Sequence, residues 1–220
     1  RLSLQGTSMN GEEVYVSLRK SIAPYSVVDI RRGTLDESGN STQLVFSNLI
    51  SNEDYFIVVN HRNSIETWSS VGVTFDKDEI SYDFTSQNTT PFGDNQISVE
   101  GVYTIMAGDL NQDGIVDGTD LSIIENHLSQ NFDNQSTETI NRSDLNLFDG
   151  EFKIKLDLNG DRGTNLEDVV SLETLTNSFA CAVLPLGAKL TSELIGFENR
   201  KSGIKTLKKS CKDGLTIQND

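Results

Sequence analysis

Side chains that carry oxygen recur at a fixed spacing in residues 109–120, called loop 1 below. They occupy positions 1, 3, 5, 9 and 12 of this loop: Asp109, Asn111, Asp113, Asp117 and Asp120. Calcium is a hard cation that takes about six to eight oxygen ligands. Gly114 permits a sharp turn at position 6, and the carbonyl of Ile115 at position 7 supplies a backbone ligand. Because four carboxylates this close repel one another without a cation, the spacing predicts a calcium site.

A second segment, residues 157–168 or loop 2, repeats the pattern with two departures. The ligands it predicts are Asp157, Asn159, Asp161, the carbonyl of Gly163, Asn165 and Asp168. Arg162 stands at position 6, where loop 1 has glycine, and Thr164 stands at position 8, where loop 1 has Val116. Three carboxylates instead of four predict weaker binding. The chain is therefore expected to bind two Ca²⁺ ions, the second less tightly.

Each loop runs into a helical pattern. Apolar spacing predicts one helix over about 118–130, with an apolar face formed by Leu121, Ile124 and Leu128. A second helix is predicted over about 166–177, with apolar surface supplied by Val169, Val170, Leu172 and Leu175. Two such helices can pack antiparallel and bury each other's apolar faces. The segment between them, 131–155, is longer than a simple connection and has room for a short strand or turn.

The combination of loop and flanking elements distinguishes these segments from EF-hands. An EF-hand ends its loop with a bidentate glutamate, whereas both loops here end with aspartate and a predicted strand precedes loop 1. This combination resembles the dockerin family, in which a calcium loop followed by one helix occurs twice, and the resemblance covers about 108–179. It implies a non-catalytic module that binds a cohesin-like domain or another subunit and so assembles extracellular enzyme complexes.

The dockerin resemblance also indicates where a partner would bind. In that family, loop positions 10 and 11 help to choose the partner, and these are Gly118-Thr119 in loop 1 and Leu166-Glu167 in loop 2. The two loops start 48 residues apart, which exceeds the usual dockerin spacing. The dockerin resemblance implies a protein partner, and self-association is a further form of assembly.

The first hundred residues predict short strands. Apolar residues recur at period two in 14–18, 44–46, 55–59, 80–84 and 97–99, and extended runs lie near 25–30, 67–75 and 102–106. Turn-forming residues separate these runs, so about seven short strands predict an antiparallel β-sandwich. The expected fold is mainly β with a small α part: a β-sandwich over 1–106, a two-helix, two-loop dockerin-like calcium unit over 107–179 and a basic tail over 180–220.

Residues 55–69 show a second resemblance. They are similar to a β-rich module that lies directly before dockerin-like repeats in large secreted bacterial proteins. The resemblance implies an exported bacterial protein, extracellular, on the cell surface or periplasmic, in which the sandwich and the calcium unit form one structural piece. Because the chain starts at Arg1 rather than methionine, we expect a leader or upstream region to have been removed.

Four chemically versatile residues, His61, Arg62, Glu66 and Trp68, lie close together in the chain. If residues 61–66 form one strand, its side chains alternate between two faces. The structural interpretation is a polar network at a strand end with Trp68 packed over it. The alternative is a sugar-binding surface, as in a carbohydrate-binding accessory module of a secreted enzyme. Because no nucleophile, zinc or phosphate-binding motif is present, we do not expect an enzyme.

Charge and cysteine content limit the possible partners and the compartment. The formal net charge of −15 argues against binding to nucleic acid or an anionic membrane, and no apolar run is long enough to span a bilayer. The tail from Phe179 is basic and either docks on the rest of the chain or binds a partner. Its two cysteines, Cys181 and Cys211, form either one disulfide, which fits an oxidising compartment, or two free buried thiols.

Overall fold

The computed structural model describes residues 1–76, 79–86, 91–131, 145–146, 151–152, 156–161, 164–177 and 180–194. Within these residues the fold is mainly β, with antiparallel sheets and a small helical part, as the sequence predicts. The described helices include none that is long and apolar enough to cross a membrane.

The main sheet has five antiparallel strands in the order β2-β1-β3-β4, with β5 also paired to β3. Their bounds are Glu13–Lys20 (β1), Val27–Thr34 (β2), Asp54–His61 (β3), Ser64–Trp68 (β4) and Val73–Thr74 (β5). The central strand β3 is an almost continuous apolar run because both of its faces are covered. Tyr55 and Val59 belong to the core on one face, and Phe56 and Val58 pack with Trp68 on the other.

A second layer covers one face of the main sheet. It contains the hairpin of β6 (Gln96–Val99) and β7 (Val102–Ile105), and Leu4 pairs in parallel with Ile105 at its side. Leu2, Leu4 and Phe84 are buried in the core between the layers. This core orders the N-terminal residues. They contact loop 2 in space, where Thr7 Oγ1 donates to the carbonyl of Leu158 at 2.6 Å.

The strands predicted near 44–46 and 80–84 do not form. Leu44, Phe46 and Tyr82 pack against the core, but their segments are irregular. Apolar spacing at period two indicates which side chains face inward, and an irregular segment can satisfy it as well as a strand does. Side-chain hydrogen bonds replace part of the missing ladder: Asp29 Oδ2, on the edge strand β2, accepts the N–H of Ser47 at 2.7 Å.

The two predicted helices are confirmed to within one residue. Helix α1 spans Gly118–Asn131 and α2 spans Leu166–Thr176. Together with Ile65 from β4, they enclose a second core whose buried members are Leu110, Val116, Ile124, Leu156, Leu158, Leu172 and Ala180. Val170 was predicted to contribute to this apolar contact, but the prediction is wrong, because Val170 lies on the outer face of α2 and is 60% exposed.

Between these helices the structure describes one short antiparallel pair, β8 (Leu145–Asn146) with β9 (Glu151–Phe152). The remaining residues of the long connection predicted between the helices lie outside the described residues. The short pair agrees with the expectation of an additional strand in this connection.

Residues 180–192, called the C-terminal strap below, lie across the outer face of the main sheet. Leu184 and Ala188 pack against the cluster around Trp68, and Arg19 Nη1 donates to the carbonyl of Lys189 at 2.6 Å. A single-turn helix, α3 (Thr191–Leu194), follows. Cys181 is disulfide-bonded, and the only other cysteine of the chain, Cys211, lies in the part of the tail outside the described residues. The first part of the basic tail therefore docks on the chain itself.

Candidate metal centre

The carboxylate of Asp120 closes loop 1. It is 0% exposed, and its Oδ1 accepts the N–H groups of Leu110 at 2.8 Å and Asn111 at 3.1 Å. Its Oδ2 accepts the N–H of Asp117 at 2.9 Å. Asp120 lies in the first turn of α1, where the helix dipole favours an anion. One side chain therefore joins the beginning of the loop, its ninth position and the helix.

Asp109 lies at the centre of the same loop. It is 1% exposed, and its two oxygens accept the N–H groups of Asp113 at 3.1 Å and Gly114 at 3.0 Å. Asn111 Nδ2 donates to Asp113 Oδ2 at 2.9 Å, and Asp117 Oδ1 accepts the N–H of Thr119 at 2.7 Å. Asp113 is exposed and Asp117 half-buried. The loop thus has a buried carboxylate at its base and more accessible ones at its mouth.

Burial and mutual repulsion shift the acidity of these groups. Burial raises the pKa of Asp109 well above its ordinary value, and the charges of Asp120 and Asp113 raise it further. Burial also raises the pKa of Asp120, to about 6, although the backbone N–H groups that bond to it oppose the shift. In the described part of the chain, none of these three aspartates forms a salt bridge. Neighbouring carboxylates without a basic partner in the described residues, two of them buried, are a donor set that fits a divalent cation.

Loop 2 repeats the hydrogen bonds of loop 1 at equivalent positions. Asp168 is buried, and its Oδ1 accepts the N–H groups of Leu158 at 2.7 Å and Asn159 at 3.3 Å. Its Oδ2 accepts the N–H of Asn165 at 2.9 Å. The donors lie ten, nine and three residues before the acceptor, as they do around Asp120. The duplication seen in the sequence therefore extends to the backbone of both loops.

The other described ligands of loop 2 bond locally. Asp157 Oδ1 accepts the N–H of Gly160 at 2.6 Å, and Asn159 Nδ2 donates to Asp161 Oδ2 at 3.2 Å. Asn165 caps α2 by accepting the N–H of Glu167 at 2.7 Å. Gly163 and Arg162 lie outside the described residues.

The hydroxyl of Thr164 supports the expectation that loop 2 is the weaker site. It is buried without a hydrogen-bond partner at position 8, where loop 1 has the apolar Val116. A buried polar group left unsatisfied costs about 1–3 kcal/mol. Loop 2 is therefore held in place less favourably than loop 1, in addition to having one carboxylate fewer.

The predicted ligands share two loops but do not converge on a ready-made cluster. Among the described residues, no group of three or more His, Cys, Asp or Glu side chains is gathered to hold a metal. Most of the carboxylates bond to backbone N–H groups instead. Asp113, Asp117 and Asp161 bond within their own loops, and Asp120 and Asp168 keep the loops closed.

The turn between β3 and β4 bridges the starts of both loops. Arg62 Nη1 donates to the carbonyl of Asp157 at 2.5 Å, and Asn63 Nδ2 lies 3.5 Å from the same oxygen. The carbonyl of Asn63 accepts the N–H of Gly108 at 2.6 Å. Residues 61–66 do not form one strand, because the chain reverses at Arg62-Asn63 and His61 pairs with Ser64. Asparagine in a polar run was the signal for this turn.

Trp68 does not form a sugar-binding surface. It is 0% exposed, its Nε1 donates to Glu66 Oε1 at 2.7 Å, and the guanidinium of Arg19 lies 4.6 Å from its ring centroid. The strap covers this face, so the ring of Trp68 is not available to a sugar, as the alternative interpretation requires. The burial and hydrogen bonds agree with the structural interpretation of this network.

The buried carboxylate of Glu12 holds the side chain of Arg62 in place. Its Oε2 lies 3.2 Å from Arg62 Nε and 3.1 Å from His61 Nε2, and all three side chains are buried. Burial alone would raise the pKa of Glu12, but the hydrogen bond with His61 and the charge of Arg62 outweigh it and lower the pKa to about 2. Burial lowers the pKa of His61 below its ordinary value of 6.5, so His61 is neutral at pH 7.

We expect Glu12→Gln to make the protein less acid-sensitive. The pKa of Glu12 rises from about 2 to 4.5 on unfolding, so its ionised form stabilises the fold above pH 4.5. This stabilisation, of the order of 3 kcal/mol, is lost as the pH falls from 4.5 toward 2. Urea unfolding of both proteins in chelator should give a stability difference that shrinks over that range. Glu13→Gln, next in the chain but paired with the exposed Arg32 at 3.6 Å, is the control and should not reproduce the effect of Glu12→Gln.

Comparison of the whole chain with protein-family models, with curated proteins and with solved structures gave no match in any of the three searches.

Proposed function

We propose that this chain is a non-catalytic calcium-binding module that holds two Ca²⁺ ions and serves protein–protein assembly in an exported bacterial protein. The observation that carries the proposal is the repeated closure of two acidic loops, by Asp120 and by Asp168, with the same three backbone positions bonded in each. A surface turn rich in Asp and Asn has no reason to bury a carboxylate at position 12 twice.

The chemistry of the loops favours calcium over other common ions. Carboxylate, amide and carbonyl oxygens suit a hard cation, and neither loop contains the histidine or cysteine that zinc prefers. Loop 1 would bind its ion through the oxygens of Asp109, Asn111, Asp113, Ile115, Asp117 and Asp120. Loop 2 would use those of Asp157, Asn159, Asp161, Gly163, Asn165 and Asp168. A bound cation would neutralise the charge that Asp109 carries at the base of loop 1.

A protein partner is supported by an exposed apolar strip on α2. Leu166, which the dockerin resemblance assigns to partner choice, is 64% exposed, and Val170 follows one turn later at 60%. Residues four apart on a helix share a face, so the two side chains form one apolar strip. The partner would be a cohesin-like domain or another subunit of an assembly, or a second copy of this chain. The net charge of −15 argues against nucleic acid.

Calcium should raise the melting temperature of the chain. An ion at about 100 times its Kd adds roughly 2.7 kcal/mol per site if it binds only the folded state. Differential scanning calorimetry in calcium and in excess chelator measures the shift, and native mass spectrometry counts the bound ions. Equal melting temperatures together with an unchanged mass in both conditions would exclude the proposed function.

A further inference from the structure

The C-terminal strap contacts loop 1 along its calcium-binding turn. Ile115 and Cys181 form an antiparallel bridge, in which Val116 N–H donates to the carbonyl of Ala180 at 2.9 Å and Ala182 N–H donates to the carbonyl of Gly114 at 2.7 Å. The bonded groups thus belong to the residues on either side of the bridged pair. In such a pair, the N–H and C=O of the bridged residue itself point away from the partner strand.

This geometry sets the direction of the Ile115 carbonyl. The N–H of Ile115 points away from the strap and donates to Asp113 Oδ1, one of the predicted calcium ligands, at 3.0 Å. Because the N–H and C=O of an extended residue lie on the same side, the carbonyl of Ile115 also points away from the strap. The strap therefore orients the backbone oxygen at position 7, which is a predicted calcium ligand.

Further contacts fix the strap on the loop. Ser192 Oγ donates to the carbonyl of Gln112, at position 4, at 2.8 Å. A Cβ on Gly114 would lie 3.1 Å from Leu190 Cδ1 and 3.3 Å from the Cβ of Ala182, so the strap is packed directly on the loop backbone. Loop 2 is braced differently, by Arg62 and by Thr7, whose hydroxyl donates to the carbonyl of Leu158 at 2.6 Å.

We infer that residues 180–192 are a positioning element of the first calcium site, and that calcium in loop 1 and the docked strap stabilise each other. The inference rests on the calcium-binding function proposed above. By linkage, a strap that raises the affinity of loop 1 for calcium must itself be held more firmly when calcium is bound there. Loop 2 has no part in this coupling.

Ala182→Pro tests the inference because proline removes the N–H that bonds to Gly114. In full-length protein whose loop 2 is disabled by Asp161→Ala, the affinity for Ca²⁺ should fall about tenfold or more, as for other changes that disturb the support of a metal ligand. In protein whose loop 1 is disabled by Asp113→Ala, the affinity of loop 2 should stay unchanged. Leu186→Pro, at a residue of the same strap that is 96% exposed, is the matched control and should have no effect on loop 1.

Hydrogen exchange provides a second measurement that does not depend on whether the proline variant folds. Calcium should slow exchange of the Ala182 amide in the Asp161→Ala protein but not in the Asp113→Ala protein. Equal protection in both proteins, or an unchanged loop 1 affinity in a folded Ala182→Pro variant, would overturn the inference while leaving calcium binding intact. Failure of the unaltered chain to bind Ca²⁺ would instead overturn the proposed function.

Discussion

Asp120→Ala is expected to remove one calcium ion and to lower the free energy of unfolding by about 1–3 kcal/mol even without calcium, because relief of the repulsion with Asp109 offsets part of the hydrogen-bond loss. The carboxylate of Asp120 is the acceptor for three backbone N–H groups. Each buried donor left without an acceptor costs about 1–3 kcal/mol. Native mass spectrometry would show one ion fewer, and urea unfolding in excess chelator would measure the loss that is independent of calcium.

Asp113→Ala separates the two roles of the loop carboxylates. Asp113 is exposed, and water can replace the bond that its Oδ1 makes with the N–H of Ile115. This variant should therefore lose the ion of loop 1 but unfold like the original chain in chelator. Asp168→Ala should reproduce the Asp120→Ala effect in loop 2. Similar unfolding curves for Asp113→Ala and Asp120→Ala in chelator would contradict the closing role assigned to position 12.

The helical half was predictable because its signals are local. Apolar periodicity gave both helices to within a residue. The N-terminal cap of α2 is a capping box of two residues three apart, Asn165 and Asp168, in which the side chain of each accepts a backbone N–H at the other's position. The spacing of Asp and Asn also located the two loops. In each loop, position 4 has a positive φ, 58° at Gln112 and 77° at Gly160. Only the second of these could be suspected from the residue type.

The contacts that support the loops were not predictable, because they join distant parts of the chain. Arg62 and Asp157 are 95 residues apart, and Glu66 and Thr191 are 125 apart. No periodicity within a short window records such pairs. The same limit applies to the tail from Ala180, whose alternation of apolar and basic pieces fits either docking on this chain or binding to a partner. Burial of β3 on both faces is the one local sign that something covers the outer face of the sheet.

Glu66→Ala is expected to destabilise the protein by about 3–5 kcal/mol and to loosen the strap. Glu66 accepts hydrogen bonds from Trp68 Nε1 at 2.7 Å and from the N–H of Thr191 at 2.6 Å, and it lies 3.5 Å from the guanidinium of Arg19. Removing one partner of a buried ion pair leaves the other charge in a medium of low dielectric constant, which is the source of the cost. Urea unfolding gives the loss of stability, and the fluorescence of Trp68, the only tryptophan, should shift to longer wavelength as water reaches its ring.

The double variant Arg19→Met/Glu66→Leu distinguishes the cost of leaving the Arg19 charge buried without its partner from the loss of packing. Replacing both members of a buried ion pair by apolar residues of similar volume is often neutral or stabilising, so the double variant should be more stable than Glu66→Ala alone. It removes the acceptor of Thr191 N–H and also the donor to the carbonyl of Lys189, so the strap should exchange its amides faster than in the original chain. If the double variant were at least as unstable as Glu66→Ala, the strap would be attached to the sheet mainly by these hydrogen bonds, and the charge of Arg19 would contribute little.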